Sequence, residues 1–174
     1  SLRVLARERS GYHQLETIFC ALELHDEIEI ERGGGGLSLE VEGAELGPPE
    51  ENLVYRAAVA FHGAARVRPD TRIRLRKRIP AGAGLGGGSS DAAATLTALN
   101  ALYGAPLEPA DLLRIGAELG SDVPYFLCGS PFALAWGRGE RLLALTPPPL
   151  PPALVVVPPS SISTPEAYRH LAEY

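Results

Sequence analysis

The sequence predicts an α+β fold, and three observations carry that expectation. Segments alternating apolar and charged side chains dominate the stretch before residue 43, segments of helical periodicity with their own start and stop signals follow from Asn52, and strand-like stretches return after residue 130. Strands gathered ahead of helices do not give the regular strand–helix alternation of a doubly wound parallel sheet.

In order, Leu2-Arg3-Val4-Leu5-Ala6-Arg7 partly alternates and reads as a strand. The polar turn Glu8-Arg9-Ser10-Gly11 ends it, which places Gly11 to Thr17 on a loop leaving a sheet. Ile18 to Leu24, Glu27 to Glu31 and Leu37 to Glu42 read as further strands, the last two split by glycines 33–36. A period of two with one charged face describes a half-exposed, largely antiparallel sheet. Arg72 to Arg78 is a basic strand suited to lie beside the acidic ones with opposite charges paired across neighbours, a structural role rather than a binding patch.

Asn52 is placed to cap a helix reaching about Gly63, with Val54, Ala57, Ala58 and Phe61 on one face. Ser89, Ser90 and Asp91 read as the N-terminal cap of a second helix, whose apolar stripe is Ala92, Leu96, Leu99 and Tyr103 and which Gly104 ends. Pro109 suits the first turn of a third helix with Leu112, Ile115 and Leu119 facing inward before Gly120, although Gly116 weakens its propensity. Phe132 to Trp136 and Ala153 to Val157 read as strands, and Pro147-Pro148-Pro149-Leu150-Pro151-Pro152 between them as a stiff connector. The expected organisation is one domain over residues 1–152 and the start of a second over 153–174.

A chain of 174 residues, 45% hydrophobic, suffices to bury one substantial core. Its net charge of -5 and pI near 5.4 argue against a nucleic-acid surface and for a small partner. Cys20 and Cys128 stand far apart without a C-x-x-C pattern, which suggests neither a disulfide framework nor a zinc site and fits a reduced cytoplasm. No apolar run reaches the roughly 18 residues of a membrane span, and no basic-then-apolar leader opens the chain. The chain holds no methionine and opens at Ser1 in what reads as mid-strand, the expectation for a fragment.

The most informative stretch is Pro80-Ala81-Gly82-Ala83-Gly84-Leu85-Gly86-Gly87-Gly88-Ser89-Ser90-Asp91, which reads as an anion cradle. Five glycines in seven positions remove the Cβ atoms that would keep a polyanion off the backbone, and they permit the positive φ values that turn successive amides inward. The helix that follows adds unpaired amides and the positive end of its dipole, for which phosphate is the natural guest. Gly82-x-Gly84-x-x-Gly87 also matches the dinucleotide fingerprint, but the segment before it is a half-exposed alternating strand rather than a buried parallel one. A Walker A loop would end in Gly-Lys-Ser/Thr, and this loop has no lysine.

With those residues in view, Pro80-x-Gly82-x-Gly84-Leu85-Gly86-Gly87-Gly88-Ser89-Ser90-Asp91-Ala92-Ala93 resembles the nucleotide loop of the GHMP small-molecule kinases, in the form found in the branch acting on 4-diphosphocytidyl-2-C-methyl-D-erythritol. Gly11-Tyr12-His13-Gln14-Leu15-Glu16-Thr17 resembles that branch's GYHxLxT segment, and Gly120-Ser121-Asp122-Val123-Pro124-Tyr125-Phe126 its GADVPFF segment. Gly137-x-Gly139-Glu140 and Ser163-Thr164-Pro165 follow in family order, so the resemblance covers nearly the whole chain.

The resemblance implies what periodicity does not name: a ribosomal-protein-S5-domain-2-like N-terminal domain followed by the start of a ferredoxin-like C-terminal domain. It also implies transfer of the γ-phosphoryl of ATP, with Mg²⁺, to the 2-hydroxyl of the cytidine diphosphate substrate in the non-mevalonate route to isopentenyl diphosphate. The triphosphate would lie on Pro80, Ala81, Gly82, Ala83, Gly84, Leu85, Gly86, Gly87, Gly88, Ser89 and Ser90, with the Ser90 hydroxyl near Mg²⁺. Asp122 would be the catalytic base, and Tyr12, His13 and Tyr168 would clamp the cytosine. The family's lysine upstream of the position of Leu2, and its final glycine-rich block, have no counterpart between Ser1 and Tyr174.

Residue type alone says less, because an aspartate after a Gly-Ser turn is more often a cap, and Tyr12, His13 and Tyr168 on their own suggest ordinary packing and an exposed loop. Two other readings therefore stay open. One is a GHMP kinase acting on mevalonate or homoserine, from which Gly11-Tyr12-His13 is the discriminator; the other is a non-catalytic nucleotide-binding module.

Overall fold

The computed structural model describes residues 2–7, 13–137, 139–149 and 151–157. Among the described residues, seven strands form two sheets. The first takes β1 (Leu2–Arg7), β2 (His13–Cys20), β6 (Phe132–Gly137) and β7 (Arg141–Ala144) in that spatial order, each pair antiparallel. The second places β5 (Thr71–Arg76) between β3 (Glu27–Arg32) and β4 (Leu37–Glu42), antiparallel to β3 and parallel to β4. The helices are α1 (Leu53–Ala65), α2 (Gly87–Leu102), α3 (Pro109–Leu119) and the short α4 (Val123–Leu127).

Charge alternation explains the second sheet. Arg72, Arg74 and Arg76 lie opposite Glu31, Glu29 and Glu27 on one side, and opposite Ser38, Glu40 and Glu42 on the other. Arg74 and Arg76 bond Glu29 and Glu42 at 3.1 Å each. A one-residue slip would put these charges into the core, so the ladder fixes register more than it adds stability. The opposite face of β5 buries Ile73 and Leu75 against Val54, Ala57, Ala58 and Phe61 of α1 and Leu96 and Leu99 of α2.

The expected cap of α1 is present: the Asn52 side chain accepts from the Val54 amide at 2.9 Å. Gly104 also ends α2 as expected, with φ +82. Gly116, which weakens α3 on propensity grounds, sits where a Cβ would lie 2.6 Å from Leu127 Cδ1. The glycine lets α4 press against α3.

Several expectations are corrected. Strand β2 begins at His13 rather than Ile18, so His13 to Thr17 belongs to a sheet and not a loop, and Ala21 to Leu24 is irregular. Half-buried Leu15, Thr17 and Phe19 alternate with exposed Gln14, Glu16 and Ile18, a period blurred in the sequence by an inward threonine and an outward isoleucine. Helix α2 starts at Gly87 with Gly86 as its N-cap, which puts Ser89, Ser90 and Asp91 inside its first turns. Residues 151–157 form no strand; Leu154 is 89% exposed, and no neighbouring strand among the described residues takes up the amides of this segment. No helix among the described residues is long and apolar enough to cross a membrane.

A buried polar chain crosses the core. His62 Nε2 lies 3.1 Å from Thr71 Oγ1, which lies 3.1 Å from the Tyr103 hydroxyl. Burial holds the His62 pKa below its ordinary value. The unfolded chain therefore takes up a proton near pH 6.5 that the folded chain resists, so this group's contribution to stability falls as pH drops below that value. Thermal unfolding of wild type and His62→Gln between about pH 7 and 5 is expected to show a shallower acid slope in the variant. Equal slopes would remove His62 as the source.

Candidate active site

The glycine loop, residues 80–86, joins Ile79 to the start of α2. Its positive φ values recur at every second residue: Gly82 +71, Gly84 +72 and Gly86 +70. At Gly86 a Cβ would also stand 3.2 Å from the Phe126 ring, and at Gly87 one would stand 3.0 Å from Ile79 Cγ2. The first amide bond of α2 runs from Ser90 to Gly86 at 2.9 Å, which leaves the amides of Gly87, Gly88 and Ser89 without helical partners. Those donors and the loop amides can satisfy several anionic oxygens at once.

The loop stands between two cavities and contributes Gly84, Leu85 and Gly86 to both. One, of 350 Å³, is bounded by the rest of the loop, Ser89, Asn52, Leu53 and Lys77. The other, of 430 Å³, holds Ser90, Asp122, Tyr125, Phe126 and the turn after β2. A phosphate chain laid on the loop therefore faces the Asp122 cavity from the other side.

Asp122 occupies the N-cap position of α4, yet its side chain makes no capping bond. Burial alone raises its pKa above the ordinary carboxylate value. Two features hold it. Pro124 stiffens the first turn of α4, and Tyr125 stacks on Phe19 of β2 at 4.6 Å and donates to the Pro131 carbonyl at 2.9 Å. The turn between β6 and β7 closes over it: a Cβ on Gly139, at φ +113, would lie 3.8 Å from Asp122 Oδ1. A half-buried carboxylate with its proton affinity raised and no bond from the described residues is suited to accept a proton from a ligand.

Ser90 and Asp122 share one cavity, whereas Ser89 lines the other. A hydroxyl and a carboxylate are the hard oxygen donors that Mg²⁺ takes together with phosphate oxygens. Among the described residues no group of three or more His, Cys, Asp or Glu could hold a metal, so a cation here would depend on its ligand for most of its shell. Tyr12 and Tyr168 of the expected cytosine clamp lie outside the described residues. Of His13 only the backbone is described, paired with Arg7 across β1 and β2.

The sequence reading missed a buried cluster beneath the loop. Lys77 Nζ lies 2.5 Å from Asp26 Oδ2 and 2.8 Å from Asp91 Oδ2. Burial opposes the charge on Asp26, but bonds from Lys77 and from the amides of Arg78 and Ile79 outweigh it and hold its carboxyl below the ordinary value. Asp91 lacks those amides, and burial pushes it up to about 6 even against the pull of Lys77. Removing the lysine would strand two buried carboxylates, at a cost of roughly 3–5 kcal/mol. The signal was present: Arg76-Lys77 breaks the alternation, and the second of two successive basic residues must turn inward.

Residues 52–130 match the family described as GHMP kinases N terminal domain. This chain carries a GHMP kinase N-terminal domain. The matched stretch opens at the α1 cap and contains the glycine loop, Lys77, Asp91 and Asp122. Over 170 residues this chain is 50% identical to the 4-diphosphocytidyl-2-C-methyl-D-erythritol kinase of Pelotomaculum thermopropionicum, covering 97% of this chain and 59% of that one. A crystal structure of 4-(cytidine 5'-diphospho)-2C-methyl-D-erythritol kinase superposes with a TM-score of 0.78 at 44% identity, over 97% of this chain and 59% of that chain. A homoserine kinase from Cytophaga hutchinsonii, at 24% identity and a TM-score of 0.60 over 71% of this chain and 44% of that one, shares the fold. The chain thus spans 59% of the length of the curated relative from Pelotomaculum thermopropionicum.

Proposed function

We propose that this chain is the nucleotide-binding and catalytic part of an ATP-dependent kinase acting on the 2-hydroxyl of 4-diphosphocytidyl-2-C-methyl-D-erythritol, a cytoplasmic step on the non-mevalonate route to isopentenyl diphosphate. The observation that carries this is the glycine loop as common wall of two cavities, with Asp122 in one of them. Relatives at 47–50% identity that are 4-diphosphocytidyl-2-C-methyl-D-erythritol kinases, together with the ordered sequence blocks, support the choice of substrate.

In this reading the triphosphate lies along residues 80–90, and Ser90 helps hold Mg²⁺, which would neutralise charge on the phosphates. Asp122 takes the hydroxyl proton as that oxygen attacks the γ-phosphorus; the bond to the bridging oxygen breaks and ADP leaves. Tyr12, His13 and Tyr168 clamp the cytosine by stacking and an edge contact. Residues 1–152 form the ATP-binding domain, and 153–174 open a second.

The test is transfer of labelled γ-phosphoryl, assayed at the length of the curated relatives, with the cytidine alcohol, mevalonate and homoserine offered separately. Product is expected from the cytidine alcohol alone. Transfer to mevalonate or homoserine, with none to the cytidine compound, would replace this reading with that of another GHMP kinase.

A further inference from the structure

The glycine loop leaves the core at Lys77 and rejoins it at Asp91, and these two side chains meet at 2.8 Å. The ammonium also bonds Asp26 Oδ2, while Asp26 Oδ1 accepts from the backbone amides of Arg78 at 2.5 Å and Ile79 at 2.9 Å. The side chains of Lys77, Asp26 and Asp91 are 5%, 1% and 5% exposed. Chain entering the loop is therefore fastened through Asp26, and chain leaving it through Asp91. Residues 80–85 make no hydrogen bond to another part of the fold among the described residues, so their conformation is set by their ends.

The geometry points to Lys77 as a positioning residue that, by tying Asp26 to Asp91, holds the two ends of the glycine loop at the separation at which its amides converge on a phosphate. Packing agrees with a tight closure, since a Cβ on Gly87 would lie 3.3 Å from Lys77 Nζ as well as 3.0 Å from Ile79. One buried ammonium thus spans a segment whose glycines would otherwise leave it free to sample many conformations. The inference rests on the reading of the loop as a nucleotide site. Because Lys77 and Asp91 also border the nucleotide-side cavity, the test must separate tethering from direct contact.

Asp91→Ala cuts the tie to α2 but leaves Lys77 paired with Asp26, so the fold is expected to persist. Asp91→Asn keeps an acceptor for the ammonium. Lys77→Met/Asp91→Leu replaces the tie with apolar groups and leaves the Asp26 carboxyl held by the Arg78 and Ile79 amides alone, so a cooperative melt of this variant is established before either readout is taken. Two readouts apply to the 174-residue chain: hydrogen exchange of the amides of residues 82–88 without nucleotide, and calorimetric affinity for ATP. In Asp91→Ala and in the double variant, exchange is expected to quicken and the ATP Kd to rise about tenfold or more. Asp91→Asn is expected to match wild type in both.

Unchanged exchange in Asp91→Ala would overturn the inference. With wild-type affinity it would leave the loop self-supporting, and with lost affinity it would make Asp91 a direct contact. A wild-type chain that binds no ATP would defeat the nucleotide reading, while faster exchange in Asp91→Ala, restored in Asp91→Asn, would still support the tether.

Discussion

Asp122→Asn is expected to lower turnover by about 10²-fold or more while leaving ATP affinity unchanged, the usual size of a general-base contribution. The substitution is nearly isosteric, and the side chain makes no capping bond, so nothing structural depends on its charge. The pH dependence follows from the direction of its shift. Burial raises its pKa, so the rate at low pH is limited by the fraction ionised and rises as pH climbs through the raised value. In the Asn variant that limb is expected to vanish from the residual rate.

Stability runs the other way. A folded-state pKa above the unfolded one means that the native chain binds the proton more tightly, so this group's contribution falls as pH rises from the unfolded value through the raised one. At neutral pH the Asn variant is therefore expected to unfold at the same or a higher temperature than wild type. A stability cost borne by a functional carboxylate is a pattern that a cap does not show. Near-normal turnover in Asp122→Asn, or a drop in melting temperature, would reduce Asp122 to a structural residue.

What the sequence made legible was whatever depended on neighbours along the chain. Strand β4 at Leu37 to Glu42, the Asn52 cap and the charge pairing of β3 and β4 with β5 could be read because each is set by local periodicity or a single side chain. The glycine loop was legible because few other uses explain so many missing Cβ atoms beside a helix start. The division into two sheets was not, since period two says that a strand has a buried face but not which strand lies beside it. Strand β7, of four residues, and helix α4, of five, are too short to establish a period.

The start of α2 was misplaced for a more instructive reason. Serine and aspartate are favoured caps, and three of them in a row outweigh a glycine on propensity alone. Here Gly86 caps with φ +70, a conformation that the loop requires, and this frees Asp91 to turn inward to Lys77. The buried cluster escaped notice because its members lie far apart in sequence, at 26, 77 and 91.

Gly86→Val/Gly87→Val is expected to abolish measurable ATP binding in a chain that remains folded. At Gly86 a β-branched side chain would have to hold φ near +70, a strain of about 1–3 kcal/mol, and its Cβ would stand 3.2 Å from the Phe126 ring. At Gly87 the added carbon would lie 3.0 Å from Ile79 Cγ2 and 3.2 Å from its Cβ, branched atoms that cannot swing aside as the end of a long side chain can. Both strains are relieved by letting the loop and the first turn of α2 move off their positions, which turns the amides of residues 82–89 away from a common point. The core does not depend on that turn: Ala92, Leu96 and Leu99 of α2, Phe61 of α1 and Leu75 of β5 are buried beyond it. Circular dichroism and a cooperative melt would establish that the variant is folded, and calorimetry would read its affinity for ATP. Gly82→Ala serves as a graded comparison, because φ there is +71 but no atom lies within 4 Å of the added carbon, so only backbone strain operates and a smaller loss is expected. Wild-type ATP affinity in the folded double variant would show that the loop is not where the phosphates rest.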